Sequence, residues 1–292
     1  MVSPWIFALL SPLIFALMNI MDKYVMAHKV KRAYGYIIIG GAVNLVYGVA
    51  VGLFLPWQNI SIIEAGYSAL AGVLQGLAFY LYYLILEKED AANMVGFVYT
   101  YPVLVAVMSY LFLGERISLL GYAGMGMTLL GALMLAVRLK QVKLSVKAWY
   151  IFALIALTAG YEFFIKASVS GMPPLNGLAI YNISLGLAVL SGLLSRKKVR
   201  DVMSEMRNAR WAFLTEALTF TGVMTSYLAM VTMPATIFTS VSILQVPFVL
   251  VMERIAHAHV GKMSKDELIL PKMGGISLIV IGLAVMYLYG GS

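Results

Sequence analysis

The chain has 292 residues, 62% of them hydrophobic and 12% charged, and a net charge of +8. A soluble domain of this size carries about a quarter charged residues, so this composition points to a multi-span membrane protein. With no cysteine anywhere, disulfides, thiolate metal sites and cysteine nucleophiles are excluded.

In chain order, residues 1–23 lack a basic leader region and read as a retained first span rather than a cleaved peptide. A span needs about 20 mostly apolar residues. That condition selects 4–23, 35–55, 66–86, 91–113, 119–138, 148–168, 176–194, 211–231, 236–256 and 272–290. Short polar or turn-like stretches connect them, such as HKVKRAYG, GERIS, GMPPLN and SRKKVRDVMSEMRNAR. Backbone groups in lipid must be satisfied within their own segment, and the runs lack the alternation of barrel strands, so the segments are helices. The expectation is an all-α integral membrane protein with ten transmembrane helices.

A shift of about 145 residues lays the second half on the first. IFAL at 6–9 falls on IFAL at 151–154, Tyr36 on Tyr181, Tyr82 on Tyr227 and Pro102 on Pro247. The expected organisation is two five-helix repeats, 1–143 and 144–292. Five is odd, so the second repeat would be inverted in the membrane. Charge placement agrees. Of the 21 Lys and Arg residues, only Arg116 and Lys166 fall on one face. The other face collects Lys23 to Arg32, Lys88, Arg138 to Lys147, Arg196 to Arg210 and Arg254 to Lys272. The positive-inside rule makes that face cytoplasmic and places both termini outside a cell (plasma) membrane. The net charge therefore follows from cytoplasmic loops and calls for no nucleic-acid partner; the lipid bilayer is the expected partner.

Residues 99–135, YTYPVLVAVMSYLFLGERISLLGYAGMGMTLLGALML, resemble the EamA-type module of the drug/metabolite transporter superfamily. The resemblance rests on Pro102, on Leu113-Gly114-Glu115, and on the closing glycines Gly121, Gly124, Gly126 and Gly131. The second half keeps Pro247, Gly274, Gly275 and Gly282. Its Glu253-Arg254 pair comes earlier, and a longer basic loop with His257 and His259 follows. The resemblance implies a secondary transporter, usually an exporter, of amino acids, nucleobase-like metabolites or amphipathic cations. It also implies cytoplasmic termini, the reverse of the charge reading.

Polar residues inside the apolar runs are the candidate site. Thr158, Glu162 and Lys166 are spaced by four and share one helical face. A charge at mid-span costs roughly 2.5–3.5 kcal/mol on insertion scales. Glu162 is therefore either paired with Lys166 or a proton-titrating or amine-binding group in a pore. Asn19 is the deep polar residue of the first span, whereas Asp22 and Lys23 read as interfacial anchors. Gln75 and Tyr82 share a face, as do Glu216, Thr219 and Tyr227, with Glu216 reaching back toward the cytoplasmic interface. Pro102 and Pro247 break the hydrogen-bond ladder at Val98 and Ile243. Thr100 and Gln245 precede them by two residues, and Tyr99 and Tyr101 flank the first. Interrupted polar helices at mid-membrane mark transporter sites. The glycine-rich runs 119–138 and 272–290 read as packing or dimerisation surface, which leaves a homodimer open.

There is no HExxH, GxSxG or P-loop, and the histidines His28, His257 and His259 lie in or beside loops. No enzyme activity, cofactor or metal is expected. The function expected is a secondary transporter moving a small-molecule substrate by alternating access through a midplane cavity, coupled to a proton or another ion. The alternatives are a non-transporting scaffold with a degenerate transporter fold, and a lipid-linked flippase or accessory enzyme.

Overall fold

The computed structural model describes residues 3–57, 60–86, 98–136, 148–194, 196–260 and 269–290. The boundary at 143/144, Ser292 and the basic positions Lys88, Arg138, Lys140, Lys143, Lys147, Lys262 and Lys265 lie outside them. The fold is all-α: α1 (Pro4–His28), α2 (Ala33–Leu53), α3 (Ile62–Leu86), α4 (Tyr101–Met108), α5 (Leu119–Ala136), α6 (Ala148–Ser168), α7 (Pro174–Leu190), α8 (Arg196–Glu205), α9 (Ala209–Met230), α10 (Ala235–Ser242), α11 (Gln245–Val260) and α12 (Ile269–Tyr289).

The span count needs correction. Among the described residues, five stretches are long and apolar enough to cross a membrane: Pro4–His28, Ala33–Leu53, Ile62–Ile85, Trp149–Ser168 and Ala235–Ile255. The expected ten transmembrane helices in two inverted five-helix repeats are not what the structure carries. The apolar stretches Tyr101–Leu113, Leu119–Leu135, Pro174–Leu190 and Met273–Tyr289 are shorter. The first of them turns into a π-helical segment at Ser109–Leu113, ended by Gly114 at φ +65°, a left-handed conformation that glycine adopts without penalty. In α9, Thr215, Glu216, Thr219, Thr221, Thr225 and Ser226 dilute the apolar character.

The helices are patterned as lipid-embedded rods. The buried face of α1 reads Ala8, Ser11, Pro12, Ala16, Asn19, Asp22 and Val25, a stripe at helical spacing that contains its polar residues. Its exposed residues include Ile6, Leu9, Leu10, Leu13 and Leu17. Polar in and apolar out reverses the arrangement of a water-soluble helix, and it leaves the apolar side for lipid.

Helices from early and late in the chain interleave. α1 packs on α9 and α11, α2 on α7, α3 on α6 and α7, and α5 on α12. The last pair explains the glycine-rich runs. A Cβ on Gly124 would sit 2.6 Å from the Gly282 carbonyl oxygen, and one on Gly131 would sit 2.5 Å from that of Gly275. The two backbones are in contact, as small residues permit.

Both ends of α2 are held by side-chain hydrogen bonds. At its start, Glu205 Oε1 accepts the Lys31 and Arg32 N–H groups at 3.0 and 2.9 Å, and Arg32 lies 3.8 Å from Asp201. At its finish, the Trp57 indole donates to the Gly52 carbonyl at 2.8 Å, and Asn176 donates to the Pro56 carbonyl at 2.9 Å.

Within α9, each threonine hydroxyl finds a carbonyl one turn back: Thr215 to Ala212, Thr219 to Thr215, Thr221 to Ala217 and Thr225 to Gly222. The Ser226 hydroxyl does the same with Gly222. In this way a polar helix satisfies its side chains from its own backbone.

Candidate functional site

A cavity of about 100 Å³ lies where α1, α3, α6, α9 and the two broken helices meet. Its walls are Phe15, Met18, Asn19 and Asp22 from α1, and Gln75, Ala78, Phe79, Tyr82 and Tyr83 from α3. Val98, Tyr99 and Tyr101, together with Leu154, Thr158, Tyr161 and Glu162 from α6, continue the wall, and Thr219, Ser242 and Gln245 complete it.

The breaks have a stated cause. Pro102 sits at the second position of α4, where a missing N–H is tolerated, and the chain turns at Tyr99 and Thr100 just before it. Between α10 and α11 the ladder switches to three-residue steps. Ile243 N–H bonds the Ser240 carbonyl, Leu244 N–H that of Val241, and Val246 N–H that of Ile243. The Ile243 carbonyl is the one Pro247 cannot serve, and Val246 satisfies it at 3.0 Å. Both turns deliver side chains to the cavity, and Tyr99 donates to Gln245 Oε1 across it.

On the α1 and α3 wall, Tyr82 donates to Asn19 Oδ1 at 2.7 Å and to Asp22 Oδ2 at 3.2 Å, and Tyr83 donates to Asp22 Oδ1 at 3.2 Å. On the α6 wall, Glu162 is 4% exposed. Its Oε2 is buried without a hydrogen-bond partner among the described residues, and so is Gln75 Oε1.

Of the expected site residues, the structure brings Asn19, Gln75, Tyr82, Tyr99, Glu162 and Gln245 to one cavity. Thr100, Pro102 and Pro247, in and after the breaks, are not among its lining residues. Tyr227 does not line it. Its hydroxyl pairs with Ser68 at 2.7 Å, and its ring meets Tyr181 edge-on. Lys166 does not pair with Glu162. Its Nζ donates to the Met230 and Met233 carbonyls at 2.9 and 3.0 Å and lies 3.5 Å from Glu115. Glu115 also accepts the Ala235 N–H at the start of α10, at 2.9 and 3.2 Å. A carboxylate there is favoured by the helix N-terminus. The "LGE" glutamate thus ties the α4–α5 connection to α6 and α10.

Two acids were read as interfacial and are not. Asp22 is 2% exposed and lines the cavity, because α1 continues to His28 rather than ending at 23. Glu216 is also 2% exposed. It accepts from Asn44 Nδ2 at 2.7 Å and lies against Gly40 of α2, so it points into the helix packing and not toward water. No group of three or more His, Asp or Glu residues placed to hold a metal occurs among the described residues.

An all-α fold with lipid-facing apolar stripes around a polar, aromatic cavity defines a membrane-embedded, transporter-like protein. Residues 3–137 match the EamA-like transporter family. A relative described as an uncharacterized transporter in cobO 3'region, from Sinorhizobium sp, is 30% identical over 141 residues, which span 47% of this chain and 99% of that relative. A solved crystal structure of a protein 17% identical superposes with a TM-score of 0.65 over 98% of this chain and 97% of the other. The chain belongs to the EamA-like transporter family and is a multi-pass membrane protein.

Proposed function

We propose that the protein is a secondary transporter that moves a small organic metabolite, outward in the cell, by alternating access to this cavity. The substrate classes are an amino acid, a nucleobase-like compound or an amphipathic cation. The observation that carries the reading is the pair of unpartnered buried acceptors, Glu162 Oε2 and Gln75 Oε1, in a cavity walled by residues from both sides of the 143/144 boundary. A buried polar atom without a partner is costly. It is retained where a ligand or proton completes it. The Lys166–Glu115 contact removes the cation that would otherwise neutralise Glu162, which leaves that carboxyl to alternate between proton and substrate.

Further support comes from depth. The lining residues of α3 lie in the half nearer Leu86, and those of α1, Phe15 to Asp22, run from its middle toward His28, whereas those of α6, Leu154 to Glu162, straddle its middle. The Glu115–Lys166–Ala235 contacts lie toward the Ser168 end of α6. The proposed orientation puts the basic 196–210 stretch in the cytoplasm, with the α1 and α3 walls of the cavity displaced toward that side. Sequence without a nucleotide-binding motif supports coupling to an ion or substrate gradient.

The test is uptake into proteoliposomes under an imposed pH gradient. The wild type is expected to accumulate substrate with saturable kinetics. Glu162→Gln is expected to stay folded, lose gradient-driven flux by about a hundredfold and keep exchange between identical solutes, since exchange moves no net proton. Full gradient-driven flux in Glu162→Gln would remove the coupling role. A scaffold would give no flux with any solute.

A further inference from the structure

We propose that the cavity selects a small organic ammonium, with N–H donors and an apolar body, over zwitterionic amino acids and neutral nucleobases. This rests on the reading of the cavity as a substrate site and narrows it to one of three classes.

The charge of the wall is the first argument. Two carboxyl groups, Asp22 and Glu162, line the cavity, and among the described residues no Lys or Arg side chain does. Lys166, which shares a helix face with Glu162, is drawn off to Glu115 and to the Met230 and Met233 carbonyls. An amino acid would bring its own carboxylate into a space whose described wall holds two acids and no cation, and like charges in a poorly solvated site repel strongly.

The balance of donors and acceptors is the second and independent argument. The hydroxyl donors of Tyr82, Tyr83 and Tyr99 are already given to Asn19, Asp22 and Gln245. Among the fully buried polar atoms of the described lining residues, those without a partner are acceptors, Glu162 Oε2 and Gln75 Oε1. They come from α6 and α3, helices packed against each other. A ligand that completes them must donate, and an ammonium has only donors. A nucleobase carries as many acceptors as donors and would leave its own acceptors facing acceptors.

The rings are the third. Phe15, Phe79, Tyr99, Tyr101 and Tyr161 all reach the cavity. Aromatic faces attract cations and accept an alkyl or aryl body without requiring further polar partners.

Matched pairs that differ by one carboxylate test the proposal: phenethylamine against phenylalanine, and isopentylamine against leucine, with adenine as the neutral control. Thermal unfolding of the purified full chain in detergent reads binding, since a ligand held only by the folded state raises the midpoint by mass action. Both amines are expected to raise the midpoint in a saturating manner at concentrations at least about tenfold lower than their amino acids. Glu162→Gln is expected to weaken amine binding about tenfold or more. Gln75→Leu, which removes the second acceptor without touching a charge, is expected to weaken it several-fold and serves if Glu162→Gln fails to fold. Tighter binding of either amino acid or of adenine overturns the cation class. Unchanged amine affinity in both variants also overturns the proposal, by moving the ligand elsewhere. Proteoliposome flux separates the two readings. An amino acid or adenine transported saturably, with flux lost in Glu162→Gln, ends the cation proposal and leaves the transporter standing. If no solute of any class moves, both readings fall.

Discussion

Lys166 and Glu162 lie one turn apart on α6, and such pairs commonly bridge. Here they do not, because a better partner arrives from elsewhere. Glu115 already faces the α10 N-terminus, and the Lys166 ammonium adds two carbonyls at the end of α9 to one carboxylate. Replacing Lys166 by Met should leave Glu115 short of a countercharge and lower stability by about 2 kcal/mol, below the roughly 3–5 of a fully buried pair, because both side chains keep some exposure, 18% and 12%. Adding Glu115→Gln should recover most of the loss. Thermal unfolding in detergent measures both. A Lys166→Met loss that Glu115→Gln does not recover, but Glu162→Gln does, would falsify the assignment of partners. Six of the expected site residues reach the cavity because a polar side chain deep in an apolar run has few other places to go. Asp22 was missed for the opposite reason. Its depth was judged from where hydropathy falls, but α1 runs on past Lys23, and hydrogen bonds from Tyr82 and Tyr83 hold the carboxyl inward. Those bonds come from another helix and leave no local trace in the sequence.

The two broken helices are the elements on which the site depends. Pro102 and Pro247 are buried behind turns whose side chains, Tyr99, Tyr101, Ser242 and Gln245, form one side of the cavity. Pro102→Ala and Pro247→Ala each restore the donor that lets the helix run straight, which would swing these side chains away. Each is expected to cut transport about tenfold or more while changing stability by no more than about 1 kcal/mol in either direction. Proteoliposome flux and thermal unfolding on the same preparations read the two effects separately; normal flux in both variants would remove the breaks from the mechanism. The prolines made the breaks legible in sequence. The shortness of the other apolar helices was not, since hydropathy alone registers neither the π-helical segment at Ser109–Leu113 nor the turn at Gly114 that ends it. The glycine-rich runs were legible as contact surface, but not their partner. α5 and α12 use them on each other, so that seam is already filled within the chain.

At the scale of the whole molecule, the absence of native cysteine makes orientation directly measurable. The structure sets Ser204 near the Arg32 end of α2, and Phe54, 89% exposed, at its other end. With the basic end cytoplasmic, Phe54→Cys should react with an impermeant thiol reagent in intact cells and Ser204→Cys should not. The reverse pattern turns the protein over in the bilayer and reverses the side toward which the α1 and α3 walls of the cavity are displaced.

The backbone-bonded hydroxyls of α9 have a mechanical consequence. A helix whose polar side chains hold hands with their neighbours could crowd its partners with obligations; α9 instead behaves as a rod carrying its own polar satisfaction. Moved as a rigid body, it keeps every bond from Thr221 to Ala217 and from Thr225 to Gly222 intact. The bonds that tie it to other helices must yield: Ser226 to Ser11, Thr215 to Tyr36, Glu216 to Asn44, Tyr227 to Ser68, Thr219 to the Met18 sulfur, and the carbonyls of Phe213, Gly222 and Met230 to Tyr47, Ser11 and Lys166. The resistance to displacement thereby lies in these contacts between helices and not within the rod.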